Sequence, residues 1–306
     1  MNNQQTTRVE PTHEFDAECV GVMQAWRRGE IPFQQAIETL TRLSNDAQLE
    51  RHTANWGRAE HLLGYMQHYR GNLNISINHY NQAYRLFARI NNRKRMATMD
   101  LNQGENYRNK GEYMKARNLY RSAYEIAADL NDIAIQAMAL TNEGLAMIEL
   151  GDIKAAREVL LDALELAGEW DQADEQLPML LCEIHQALAT VYLAEDELDL
   201  AWQQASLALD NATISAQPIQ MGYANRILGD VLTAKYVEDG QKNPDIDRYY
   251  RSAMKCFHEV RAEGESVRTM YAHATSYGKR SQRRKASQMF HSAMVTFTKL
   301  GMTADA

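Results

Sequence analysis

Apolar residues recur along this chain with a period of about 3.6, the spacing that places them on one face of a helix. Two neighbouring segments carry the pattern clearly, through Leu62, Leu63, Met66 and Tyr69 in the first and Ile77, Tyr80, Tyr84 and Phe87 in the second. Nothing of comparable length alternates with period two. Residues 33–177 contain no proline, which helix interiors reject because proline lacks a backbone N–H. We therefore predict an all-α protein of about fourteen helices.

A repeat of about 40 residues organises these helices. Its anchors are small residues, namely Gly64, Gly104, Gly144, Ala189, Gly229 and Ala274. Seven residues after each of the first three anchors stands a second glycine: Gly71, Gly111 and Gly151. Alanine recurs 19 positions after the anchors, as Ala83, Ala123, Ala163, Ala208 and Ala293, with Ala253 in register if the fifth repeat carries five extra residues. Self-similarity at this period is typical of stacked helical hairpins.

The small residues have a physical role in such a hairpin. An anchor without a bulky side chain lets the first helix, helix A, approach its neighbour closely, and the alanines let the second helix, helix B, pack against helix A. We expect Gly71, Gly111 and Gly151 to take the left-handed conformation of the turn between the two helices. Asn91 and Asn131 are expected to do the same at the end of helix B, because asparagine tolerates that conformation.

These residues resemble the tetratricopeptide repeat in its 40-residue form. The matching features are tyrosine three residues after an anchor (Tyr107, Tyr192 and Tyr277) and the turns Gly111-Glu112-Tyr113 and Gly151-Asp152-Ile153. The chain departs from the family at the tryptophan of the first turn, at the terminal proline, and at Gln103 and Glu143, where leucine is usual. The resemblance implies a right-handed α-solenoid of about six hairpins. Similar repeats occur in bacterial transcription-activator sensor modules, quorum-sensing peptide receptors, and polarity or motor adaptors.

The repeat also predicts where the chain divides. We expect a disordered segment over residues 1–13, a degenerate capping hairpin over 14–52 with helices from Glu14 to Arg28 and from Pro32 to Leu43, the repeat array over 53–301, and a tail over 302–306. Five-residue insertions fall near 168–178 and 238–244. Each insertion is either a contact site or a tolerated surface loop.

Composition excludes several classes of protein. The chain has 33 Lys and Arg against 40 Asp and Glu, a net charge of −7, which gives no general attraction for nucleic acid. No uncharged apolar run approaches the roughly 18 residues of a membrane span, and no signal sequence follows Met1, so we expect a cytoplasmic protein with no membrane partner. Cys19, Cys182 and Cys256 are too far apart for a disulfide framework or a zinc finger, and packing is their expected role.

No pattern of a catalytic or cofactor site is present. The sequence lacks a phosphate-binding glycine loop, a His-Glu-x-x-His zinc motif and a Gly-x-Ser-x-Gly elbow. His61 and His68 could share a helix face, but no carboxylate stands with them at ligand spacing. We expect a protein that is not an enzyme and that holds no metal or cofactor.

The function class that the sequence leaves open is binding. The resemblance implies where binding occurs, because helix A lines the concave groove of a tetratricopeptide array. Asn102 and Asn142, each two residues before an anchor, are candidates to contact the backbone of an extended peptide, since one amide offers both a donor and an acceptor. The alternative is that both are solvated helix residues. The other groove candidates are Arg58, His61, Tyr65, Tyr69, Glu105, Asn106, Asn109 and Arg226.

Three of these candidates form an aromatic stripe, His61, Tyr65 and Tyr69, which either holds an apolar or proline-rich segment or packs against the N-terminal hairpin. Only Arg58 and Arg226 could form a carboxylate clamp, so a ligand chosen by its C-terminal acid is not favoured. We expect a scaffold or adaptor that binds a protein or peptide. A regulatory sensor that responds to a small effector or signalling peptide, and acts on a separately encoded protein, is the alternative.

A basic run lies at the last inter-helix turn, comprising Lys279, Arg280, Arg283, Arg284 and Lys285. It is either a solvated turn or a surface for an acidic protein patch; nucleic acid is disfavoured because the cluster is short and the protein acidic. Residues 195–199 form an acidic turn. Contact between these opposite charges would join two copies of the chain head to tail as a homo-oligomer.

Overall fold

In the computed structural model, residues 9–240, 243–260 and 262–300 are described, and they form fourteen α-helices. The all-α prediction is confirmed. The helices are α1 (His13–Arg27), α2 (Phe33–Leu49), α3 (Thr53–Tyr69), α4 (Leu73–Arg89), α5 (Arg93–Asn109), α6 (Tyr113–Leu130), α7 (Ile133–Glu149), α8 (Ile153–Glu169), α9 (Leu177–Ala194), α10 (Leu198–Ile214), α11 (Pro218–Asp239), α12 (Asp245–Glu259), α13 (Glu263–Lys279) and α14 (Arg283–Leu300).

The helices fall into two compact units that divide between Gly151 and Asp152. Unit 1 contains α1 to α7 and unit 2 contains α8 to α14. Within each unit consecutive helices pack as antiparallel hairpins, and contacts between helices two apart in the chain join odd-numbered helices: α1 with α3, α3 with α5 and α5 with α7 in unit 1, and α9 with α11 and α11 with α13 in unit 2. The odd-numbered helices therefore lie side by side and form one face of each stack.

The small repeat positions lie where the two helices of a hairpin meet. The alanines 19 residues after the anchors are fully buried, as at Ala83 and Ala123. In the fifth repeat the ring of Tyr250 on α12 packs against the backbone of Gly229 on α11, where an added Cβ would stand 3.0 Å from the ring. Removing apolar rings and methyl groups from water supplies the main drive for this packing.

The predicted turns have the expected backbone. Gly71, Gly111 and Gly151 have φ angles of 76°, 75° and 77°, a region that residues with a Cβ enter only at a cost. Asn91 and Asn131 each have a φ of 53° at the ends of their helices. The turn predictions are confirmed at all five positions.

Disorder was expected over residues 1–13, of which residues 1–8 lie outside the described part of the chain. The remaining residues, 9–13, are held by contacts with the repeat array and with α1. The carbonyl of Val9 accepts a hydrogen bond from Asn92 at 2.9 Å, Glu10 pairs with Arg95 at 2.7 Å, and Thr12 caps α1. In the capping hairpin α2 continues to Leu49, beyond the expected end at Leu43. The expected tail at 302–306 is also outside the described residues.

The two insertions take different forms. After α8 ends at Glu169, residues 170–176 form a non-helical connection to α9. The second insertion begins as helix, because α11 extends to Asp239 and is 22 residues long. Gly240 follows the last residue of α11, has a left-handed φ of 71° and ends the helix. Residues 241 and 242 are outside the described part.

Among the described helices, α9 is long and apolar enough to cross a membrane by length and composition. Half of that span is buried inside the protein, and Cys182 and Ile184 have no exposed surface. Glu183 interrupts its apolar run. The composition of α9 is that of a core helix of unit 2. Cys19 on α1 is also buried, and Cys256 is partly buried; all three thiols are free.

Candidate functional site

Asn102 on α5 lies beside His61 on α3, with 3.1 Å between the amide Nδ2 and the imidazole Nε2. An amide N–H can only donate, so Nε2 accepts and the ring proton is on Nδ1. Burial, and secondarily the charges of Arg58 and Arg95, lower the pKa of His61 to about 3, which keeps the ring neutral. Asn102 therefore uses one N–H of its side-chain amide to bind His61, and its side-chain oxygen Oδ1 is available to another partner.

Asn142 occupies the equivalent position on α7. Its side chain is partly buried, and among the described residues its amide has no hydrogen-bond partner. The neighbouring Thr141 is different, since its hydroxyl donates to the carbonyl of Ala137 at 2.7 Å. Asn142 therefore has both its donor and its acceptor free for a ligand. We call the surface of α3, α5 and α7 that carries Asn102 and Asn142 the unit 1 face.

Two members of the aromatic stripe pack against α1. The hydroxyl of Tyr65 accepts a hydrogen bond from Arg27 at 2.9 Å. The ring of Tyr69 meets Trp26 edge to face, with centroids 5.0 Å apart, and Tyr69 remains 68% exposed. These contacts favour the packing interpretation for Tyr65 and Tyr69. The third member, His61, faces Asn102.

The structure corrects the position of Asn106, which was expected to face a ligand. Asn106 is fully buried: its amide donates to the hydroxyl of Ser76 at 2.8 Å and its Oδ1 lies 2.7 Å from Nδ1 of His68. On a helix each residue turns about 100° from the one before, so the side chain after Glu105 points into the hairpin. Glu105 itself is partly exposed and pairs with Arg108 at 2.7 Å, while Asn109 is exposed.

The two candidate arginines are engaged in ion pairs. Arg58 lies 2.6 Å from Asp16 of α1, and Arg226 lies 3.0 Å from Glu265 of α13. Arg226 also stands over the ring of Tyr223 at 5.2 Å. A ligand carboxylate would have to displace an acidic partner from either guanidinium. Neither arginine is a free clamp.

The basic run is smaller than the sequence indicates. Arg280 is buried, with a side chain only 6% exposed, and it donates to Asp247 at 2.5 Å. Its expected place in an exposed patch is corrected: the side chain turns back to an acid on α12 instead of facing water. The exposed basic residues that remain are Lys279, Arg283, Arg284 and Lys285.

Unit 2 contains a cavity of about 510 Å³ between α9, α11, α12 and α13. We call it the unit 2 cavity. The residues that matter for its chemistry are Asp230, Thr233, Tyr250, Tyr271, Ser276 and Lys279. The repeat pattern alone does not reveal this cavity, although Asp230 and Thr233 follow the anchor Gly229 by one and four residues, the spacing of other groove candidates. The five-residue insertion moved Tyr250 out of the simple register and hid its relation to Asp230.

Two separate sets of hydrogen bonds lie along this cavity. The hydroxyl of Tyr250 donates to Oδ1 of Asp230 at 2.5 Å. The hydroxyl of Thr233 donates to the carbonyl of Gly229 at 2.8 Å, so the Ser276 hydroxyl, 2.6 Å away, donates to Thr233. Burial raises the pKa of Asp230, opposed by the Tyr250 hydrogen bond and by the charges of Arg226 and Lys279. These interactions do not fully offset the effect of burial, so the pKa of Asp230 is raised overall.

Comparisons with known proteins agree with the repeat. Residues 95–169 match the sequence model of the family described as tetratricopeptide repeat. No curated protein matches the chain over its sequence. Among solved structures, the apo form of RapI is 15% identical, with a TM-score of 0.72 over 94% of this chain and 99% of that one.

Two further structures share the fold. A Rap protein complexed with competence and sporulation factor is 15% identical, with a TM-score of 0.66 over 92% of this chain and 74% of that one. The apo form of the quorum sensor NprR from B. thuringiensis is 16% identical, with a TM-score of 0.64 over 87% of this chain and 71% of that one. At these identities the likeness is one of fold.

Proposed function

We propose that this chain, which matches the tetratricopeptide repeat model over residues 95–169, is a non-catalytic scaffold or adaptor, placed in the cytoplasm, that binds an extended peptide or protein segment on the unit 1 face. The observation that carries the proposal is the pair of amides at equivalent positions of α5 and α7. Asn142 has a free donor and acceptor, and Asn102 has a free carbonyl. Each can bind one peptide group without regard to the side chain beside it.

The surroundings of the two amides support this role. His61 fixes the Asn102 amide through a contact between buried or partly buried groups, so little side-chain freedom is left for a ligand to remove. The neutral imidazole adds no charge to the site. Glu105, paired with Arg108, and the exposed Asn109 lie further along α5 and offer polar contacts for selectivity.

The experiment is selection of peptides on the full chain from a random heptapeptide display library, followed by affinity measurement with the selected peptides. Asn102→Ala combined with Asn142→Ala should lower affinity by about tenfold or more, since each lost hydrogen bond is worth about 1 kcal/mol. Asn118→Ala, on the exposed surface of α6, is the matched control and should bind normally. Unchanged affinity in the double variant removes the unit 1 face as the binding site.

A regulatory sensor is the second candidate. It is favoured by the likeness in fold to a quorum sensor, NprR, and to a Rap protein solved with a competence and sporulation factor. In this role a signalling peptide or small effector changes the packing of the hairpins, and an output protein reads the change. A ligand-dependent change in the X-ray scattering profile supports the sensor, whereas an unchanged profile with the ligand bound supports the static scaffold.

A further inference from the structure

The unit 2 cavity has the size of a site for an organic molecule. Its volume of about 510 Å³ falls within the range of about 300–1,000 Å³ that is usual for small-molecule pockets. Its lining combines carboxylate, hydroxyl and aromatic groups with few large apolar side chains. The cavity lies wholly within unit 2 and is separate from the unit 1 face.

The charges around the cavity favour a cation. Asp230 lies on its wall, Asp196 lies at the turn after α9, and Lys279 is the basic residue that lines it. Arg226 and Lys279 act on Asp230 through their charges, but among the described residues neither forms an ion pair with it, and Arg226 pairs with Glu265 instead. A carboxylate can accept about four hydrogen bonds, and Tyr250 supplies one of them. The acid retains capacity for a charged donor.

The other lining groups favour a planar cation. The hydroxyls of Thr233 and Ser276 can each accept a further hydrogen bond. Tyr271 is 44% exposed, although its ring also meets Phe290 edge to face. Guanidinium carries five N–H donors in one plane and stacks on aromatic rings. A metal ion fits poorly, because the described residues contain no group of three His, Cys, Asp or Glu side chains able to hold one.

We propose that the unit 2 cavity binds a guanidinium group, held by Asp230 and stacked near Tyr271. The group belongs either to an arginine side chain of a bound peptide or to a free small molecule. Because Asp230 and the two amides of the unit 1 face lie in different units, this inference stands apart from the proposed function. Either can fail without the other.

The test is calorimetric titration of the full chain with acetyl-Ala-Arg-Ala-amide, with the same peptide carrying citrulline, and with methylguanidinium. Citrulline has nearly the shape of arginine but no charge. The arginine peptide should bind at least about tenfold more tightly than the citrulline peptide, because hydrogen bonds to a charged group are worth about 1.5–3 kcal/mol. Methylguanidinium binding as tightly as the arginine peptide assigns the site to a small molecule; weaker binding assigns it to a peptide side chain.

Variants locate the interaction. Asp230→Asn preserves the shape and the acceptor for Tyr250, and it should weaken the arginine peptide by about tenfold. Lys279→Gln should strengthen binding by removing a like charge at the cavity. Asp210→Asn, which removes an exposed carboxylate from α10, is the matched control and should bind as the parent does.

Circular dichroism spectra should show that each variant is folded. Thr275→Lys provides a second route if Asp230→Asn is unstable: the introduced ammonium should occupy the cavity and abolish binding. Equal affinity for the arginine and citrulline peptides, equal affinity of Asp230→Asn and the parent, or binding of neither guanidinium probe overturns the proposal.

Discussion

The ring of Tyr80 occupies the space where a side chain of Gly64 would stand. A Cβ added to Gly64 would lie 2.6 Å from both Cδ1 and Cε1 of Tyr80, well inside van der Waals contact. Tyr80 is 2% exposed, and the hydroxyl of Ser76, on the same helix, donates to the carbonyl of Gly64 at 2.7 Å. The anchor glycine and the aromatic residue of helix B are therefore two halves of one close helix contact.

Gly64→Ala should destabilise the protein by about 1–3 kcal/mol, the usual cost of overpacking a core, because the buried ring of Tyr80 must move. Gly21→Ala is the matched control on α1, where a Cβ meets nothing within 4 Å. There alanine should stabilise the helix by up to about 1 kcal/mol. Urea unfolding midpoints measure both, and shifts of the same sign would contradict the close contact.

This glycine contact explains why the fold could be predicted from sequence. A position where two helices nearly touch accepts only a small residue, and the turn after it requires a left-handed residue, so Gly64 and Gly71 carry a local signature of the packing. Repetition of that signature at 40-residue intervals then makes it visible. The aromatic partner follows in register, as Tyr80 and Tyr120 do, because it fills the space that the glycine leaves.

The candidate site was predicted less completely, because its residues depend on partners far away in the sequence. Asn106 and Glu105 are adjacent, yet one is buried and the other partly exposed, and the buried Asn106 bonds to His68 of α3 and Ser76 of α4. Asp230 meets Tyr250 across the five-residue insertion. The burial of Arg280 depends on Asp247, 33 residues before it on another helix. A local sequence pattern does not reveal such pairs, because the two residues are far apart along the chain.

Arg280 belongs to a buried cluster around Asp247. One oxygen of Asp247 accepts from Arg280 at 2.5 Å and lies 3.0 Å from Nε2 of His273. His273 is sandwiched between the rings of Tyr250 and Tyr277, with centroids 4.7 and 4.4 Å away. Burial raises the pKa of Asp247, but the hydrogen bonds from His273 and Arg280 outweigh it, so the net change is downward. The acid is ionised and needs its cation.

Arg280→Ala should therefore destabilise the protein by about 2–3 kcal/mol, somewhat below the cost of breaking a fully buried pair because Asp247 keeps 23% of its side-chain surface exposed. Arg284→Ala removes an exposed arginine of the same basic run and should change stability by less than about 0.5 kcal/mol. Chemical denaturation followed by circular dichroism compares them. Equal effects would mean that the Arg280 side chain is exposed, as the sequence indicated.

Asp100 is a buried acid that has no ion-pair partner among the described residues. It is 4% exposed on α5 and accepts a hydrogen bond from Ser122 at 2.7 Å. Burial raises the pKa of Asp100 from 3.8 to about 6, and the Ser122 hydroxyl opposes the shift only in part. The folded protein therefore binds a proton at Asp100 more tightly than the unfolded chain does. The resulting stability is fully present below about pH 4 and is lost as the pH rises through about 6.

Asp100→Asn should remove this pH dependence, because asparagine has nearly the same shape, can still accept from Ser122 and carries no charge to bury. At pH 8 the variant should be more stable than the parent by on the order of 3 kcal/mol, and the gain should shrink towards zero near pH 4. Urea unfolding of both proteins at half-unit steps between pH 4 and 8 measures the difference. Asp129→Asn, at an exposed acid of α6 that pairs with Arg93, serves as the control and should change stability by no more than about 1 kcal/mol. A gain for Asp100→Asn that is equally large at pH 4 and pH 8 would mean that packing, and not ionisation, limits stability at this site.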